Sequence, residues 1–230
     1  MNKSLKERGV SIARIIWRTL LSATGLSGLI INFLVGGNPL ELASYYTIQS
    51  NILCTAFIIV LLVRELFGKS SDGRRWRLVK CALTMCIMVT FLVYHFMLAP
   101  SFAAEGMKIQ TSYNIMLHYI VPLGFFADWL LFDKKGEIGI KDPLWWAAIP
   151  VLYLVYTFIY TSLGGRYQKG TQSAPYFFLD TAKYGVGGVL LWIAAITAGF
   201  FVLSYLFVGL DRLLAGLSRK SEKSATSAEG

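Results

Sequence analysis

The chain has 230 residues, 55% of them hydrophobic and only 15% charged, with a net charge of +9 and a mean hydropathy of +0.56. A soluble domain carries about a quarter charged residues, so this composition excludes an ordinary soluble domain and predicts an all-α integral membrane bundle. Six segments are long and apolar enough to span about 30 Å of hydrocarbon as helices, in which every backbone group is paired.

The first predicted span covers residues 12–35. Its basic start is that of a signal peptide, but the apolar run is too long and no small-residue cleavage site follows, so it reads as a retained helix. Gly25 and Gly28, and later Gly185 and Gly188, are spaced to let helices approach closely. Spans two and three, residues 45–67 and 78–99, are joined by the basic loop "GKSSDGRRWR". Spans four and five, residues 113–132 and 144–163, are joined by "DKKGEIGIKDP", whose Pro143 suits a first helical turn. Asp128 falls near the inner end of span four, where pairing with a Lys or Arg is expected.

Between span five and span six (residues 186–210) lies a connection of a different kind, "GGRYQKGTQSAPYFFLDTAKYG". Its apolar patch, residues 175–179, predicts a segment folded back as a lid over the outer face, or an amphipathic interfacial turn. The membrane domain is expected to end at 212, with residues 213–230 a disordered basic tail. No internal repeat is evident, which argues against an inverted-repeat transporter.

The basic residues are partitioned. Eighteen of the 22 flank the termini and the 2–3 and 4–5 loops, and only Lys108, Arg166, Lys169 and Lys183 lie on the other side. The positive-inside rule therefore predicts a multi-pass protein of the cell membrane with both termini cytoplasmic. No reading surface accompanies the charge, so membrane lipids rather than nucleic acid are the expected partners. Cys54, Cys81 and Cys86 all fall within spans without a C-x-x-C pair, which argues against a disulfide framework or a zinc site. No metal or other cofactor is expected.

Polar side chains are costly in lipid and mark interiors or wet cavities. Thr47 lies about one turn below the outer start of span two, His95 roughly 7 Å below the outer end of span three, and His118 about 10 Å along span four. All three share one layer. Asn51 and Ser50 follow Thr47 by four and three residues, and Asn114 precedes His118 by four, so each shares its neighbour's face. The layer predicts an outward-facing polar pocket. Each member also has a plainer reading: Thr47 bonding its own helix, His95 in an interfacial aromatic belt, Asn51 as a helix–helix clasp.

"YYTIQSN", "LHYIVPLGFFADWLLF" and "PYFFLDTAKYG" resemble, in order and at matching spans, the bacterial six-helix Pr6Pr family. More distantly, the threonine, the histidine and the loop are similar to the androgen-induced and androgen-dependent TFPI-regulating proteins. Those animal proteins are intramembrane hydrolases of fatty acid esters of hydroxy fatty acids. The resemblance implies Thr47 as nucleophile and His118 as base; "PYFFLD" departs from the animal loop's Pro-Phe-Leu-Glu string. The chemistry suits a membrane layer, since a hydroxyl needs a base within hydrogen-bond reach and neutral imidazole is the usual one. Asn51 is then a candidate oxyanion donor, Asn114 an orienter of His118, and Ser50 and His95 candidate contacts to a long-chain acyl ester. No acid lies at matching depth, so the site reads as a dyad. Two other readings stand beside it: a carrier or lipid sensor whose polar layer only clasps helices, and a cytochrome with His95 and His118 as haem ligands.

Overall fold

The computed structural model describes residues 3–106, 110–167 and 173–228. Six long helices account for most of them: α1 (Lys3–Val35), α2 (Tyr46–Leu66), α3 (Arg74–Ala104), α4 (Ser112–Phe132), α5 (Asp142–Ser162) and α6 (Thr181–Ala228). Each holds a stretch long and apolar enough to cross a membrane, and no strand occurs among the described residues. This is the helical bundle that the apolar segments predict.

Helices α1 to α4 form one group, with α1 against α2 and α4, and α3 against the same two from the other side. Small residues set the closeness. A Cβ on Gly25 would stand 2.3 Å from the Thr55 hydroxyl on α2, and one on Gly28 would stand 3.0 Å from Leu117 and Met116 on α4. Gly185 serves differently. Its φ of +65° bends the start of α6, and a Cβ there would meet nothing within 4 Å.

At the end of the bundle carrying the basic loops, the four helices are pinned by buried charge. Asp128 is 0% exposed, Arg18 4% and Lys80 3%. Arg18 donates to both Asp128 oxygens at 3.1 and 3.3 Å, and Lys80 donates to Asp128 at 2.5 Å and to Asp133 at 2.7 Å. Glu65 closes the chain by accepting from Arg14 at 2.6 Å and Ser11 at 2.8 Å. Asp128 thus meets both an Arg and a Lys, where one partner is expected from the sequence. Burial raises the pKa of the Asp133 carboxyl, and Lys80 opposes that rise.

Helices α5 and α6 lean on this group at the same end. Trp129 of α4 meets Phe207 of α6 at 4.2 Å between ring centroids, in a cluster with Trp146 and Val208. The α6 helix does not stop at 212. Asp211 accepts from the backbone N–H of Gly136 and Ile138 at 2.9 and 3.1 Å, and buried Ala215 packs over Gly136. These contacts carry helix past the boundary that composition suggests, through Ala228.

Candidate functional site

Above the Trp129 cluster, α5 and α6 part from α2 and α3 and leave a cleft of about 140 Å³, open on one side. Its walls are mostly aliphatic and aromatic: Val89 and Val93 from α3, Leu154 from α5, and Ile193 and Ile196 from α6. The 5–6 connection forms its roof. Phe178 and Leu179 are buried against Tyr94 and Leu98 of α3 and Val189 of α6, and a 3-10 turn over Phe177–Leu179 directs them inward. The apolar patch therefore does fold back on the bundle. Residues 168–172 of that connection lie outside the described residues.

Polar groups gather at one corner of this cleft, where α2 begins. Thr47 lines it together with Thr90, Tyr153 and Tyr176. The Tyr176 hydroxyl accepts from the Thr47 backbone N–H at 3.4 Å. Burial raises its pKa, with hydrogen bonds to the Thr47 side chain and backbone pulling the other way, so the phenol is neutral and able to donate. The Tyr153 hydroxyl is buried and has no hydrogen-bond partner among the described residues. Ser50 bonds the Thr90 hydroxyl at 2.9 Å and the Thr47 carbonyl at 3.1 Å. Asn51, fully buried, donates to the Thr47 carbonyl at 2.8 Å and to the Leu117 carbonyl of α4 at 3.0 Å. Both amide hydrogens are thereby used. That is the geometry of a clasp, and it leaves no donor on Asn51 for an oxyanion.

The two histidines sit in π-helical turns, Tyr94–Leu98 in α3 and Met116–Ile120 in α4. Such turns widen the backbone ladder and recur at functional sites. His118 is 8% exposed and its Nδ1 lies 3.1 Å from the Asn114 carbonyl. A carbonyl only accepts, so Nδ1 carries the proton and Nε2 keeps its lone pair. The orientation comes from the backbone of Asn114 rather than its side chain. Tyr94 stacks on the imidazole at 3.7 Å between ring centroids. His95 points elsewhere: it is exposed, 3.2 Å from the Tyr119 hydroxyl and stacked on Phe91.

The structure thus gathers Thr47, Ser50 and Asn51 in one corner and ties their helix to the turn holding His118 through the Asn51–Leu117 bond. Thr47 is on the cleft wall; His118 and His95 are not among the residues that line it. Sequence reasoning overlooks Thr90, Tyr153 and Tyr176. Tyr176 lies within the quoted loop motif and Thr90 is a polar residue in the middle of a span, a signal open to reading. Tyr153 has no such mark among the tyrosines of α5. Among the described residues no group of three or more His, Cys, Asp or Glu is placed to hold a metal ion.

No family model, no curated protein and no solved structure matches this chain.

Proposed function

We propose that this protein is a multi-pass membrane hydrolase of long-chain esters, in which the cleft takes the acyl chain and Thr47 is the nucleophile. The observation that carries the reading is a hydroxyl-rich corner, Thr47 with Thr90, Tyr153 and Tyr176, on a cleft whose remaining walls are mostly apolar. A cleft of this volume holds part of a chain and leaves the remainder in hydrocarbon, which suits a lipid rather than a water-soluble ester. The motif likeness to the animal TFPI-regulating proteins supports Thr47 as nucleophile and His118 as base.

In this mechanism the Thr47 hydroxyl attacks the ester carbonyl and its proton passes to His118 Nε2. The protonated imidazole then gives that proton to the departing alkoxide. Water, deprotonated by the same nitrogen, then attacks the acyl-threonine; the acyl–oxygen bond breaks, Thr47 takes the proton back from Nε2, and the fatty acid leaves. Tyr176 and Tyr153, in place of Asn51, are the donors available to the oxyanion. The basic end of the bundle faces the cytoplasm by the positive-inside rule, which puts Thr47 in the outer half of the membrane.

A second reading has its own support. His118 is covered by Tyr94 and absent from the cleft wall, and Asn51 is spent as a clasp; both suit a lipid-binding carrier or sensor without catalysis. Turnover of fluorogenic long-chain esters by purified protein, set beside retention of a fluorescent fatty acid in the cleft, separates the two. The hydrolase reading expects Thr47→Ala and His118→Ala to lose activity by about 10³-fold and at least about 10²-fold respectively, with the fatty acid still bound. Variants that turn over at the wild-type rate would end it. A wild type that binds the fatty acid without turnover would favour the carrier.

A further inference from the structure

A second cavity lies among the described residues at the opposite end from Thr47. It has a volume of about 270 Å³ and opens between the N-terminal part of α1, the end of α2, the start of α3 and the loop after α4. Six basic side chains line it, Arg14, Arg18, Lys69, Arg77, Lys80 and Lys134, against three acidic ones, Glu65, Asp72 and Asp133. Asp128 lies behind the wall and neutralises one further charge through Arg18 and Lys80. Glu137 pairs with Arg77 from the exposed side at 2.6 Å, where water screens the pair. With Glu137 counted, an excess of about one positive charge remains, so the wall favours an anion.

The donors have open capacity as well. The ammonium groups of Lys69 and Lys134 have no side-chain partner among the described residues. The wall is a formed one, since Arg64 bonds the Ser71 hydroxyl at 3.0 Å and the Ser70 carbonyl at 2.5 Å and so folds the 2–3 loop. An anion with several diverging oxygens would engage the Lys69 and Lys134 ammonium groups, which line the cavity and are exposed. Guanidinium groups suit such oxygens by geometry and lysines by charge.

We propose that this cavity binds a phosphate-bearing anion, either a lipid headgroup in the adjoining leaflet or a soluble phosphate. The site is independent of the hydrolase reading and survives its failure.

The test uses the full chain in phosphatidylcholine nanodiscs in phosphate-free buffer, with thermal unfolding as readout. Inorganic phosphate is titrated against potassium chloride at matched ionic strength, and a parallel set of discs contains phosphatidic acid. The comparison protein is the Lys69→Gln, Lys134→Gln double variant, whose altered side chains are exposed and support no other group. The expected result is a saturable rise in Tm for the wild type and an apparent affinity about tenfold weaker in the double variant, the loss of roughly 1.4 kcal/mol of charge-assisted contact. A response to inorganic phosphate identifies a soluble ligand; a response only to phosphatidic acid identifies a headgroup. Responses no larger than those to chloride, or equal in both proteins, would overturn the proposal.

Discussion

Asp128 shows how much one side chain can hold. It is the shared acceptor of Arg18 from α1 and Lys80 from α3, so its removal leaves two buried cations facing each other. Asp128→Ala is expected to destabilise the bundle by about 3–5 kcal/mol, read as thermal unfolding in detergent; an unchanged Tm would mean that water already serves these cations. Asn51→Ala tests a smaller bond of the same kind. It removes the Asn51 bonds to the Thr47 and Leu117 carbonyls, the first of which keeps Ser50 as a donor, and is expected to cost about 1–2 kcal/mol, whatever it does to activity. That Asp128 pairs with base was legible, because an acid near the end of a span has few other options. That Asn51 spends both donors was not, since its two acceptors are backbone carbonyls with no side-chain signature.

At the scale of elements, apolar windows located the six helices, while their ends were set by contacts that hydropathy does not register. The Asp211 bonds to the 4–5 loop and the seat of Ala215 on Gly136 extend α6. Glycine spacing was informative for α1, where Gly25→Ala would force the Thr55 hydroxyl aside. Overpacking of that kind costs about 1–3 kcal/mol, and a Gly25→Ala protein as stable as wild type would contradict the close α1–α2 approach. The same spacing misled at Gly185, which bends the chain instead of seating a neighbour. The π turns around both histidines each end two residues before a proline, Pro100 and Pro122. Proline lacks the N–H for the helical ladder, so a backbone distortion beside His118 was legible from Pro122. On the proposed hydrolase reading, Tyr176 of the 5–6 connection is the roof's donor to the oxyanion. Tyr176→Phe keeps the ring and removes the hydroxyl, so it is expected to lower kcat by about 10²-fold with KM little changed. A fall in binding alone would make Tyr176 a wall and nothing more.

Across the whole molecule the two ends are unlike: a charged cavity among basic loops, and an apolar cleft roofed by aromatic residues. The orientation proposed from the basic loops is simple to test, because all three cysteines are buried and leave a clean background for thiol labelling. Ser218→Cys is expected to react with an impermeant maleimide only after cells are opened, and Ser173→Cys to react on intact cells. The reverse pattern would invert the membrane assignment. The most direct measurement of the central claim is the mass of the protein itself after brief exposure to an activated long-chain ester and an acid quench. The account predicts one added acyl group on the peptide containing Thr47, absent from Thr47→Ala and slow to clear in His118→Ala. An unmodified wild type, or an acyl group on any other residue, would contradict it.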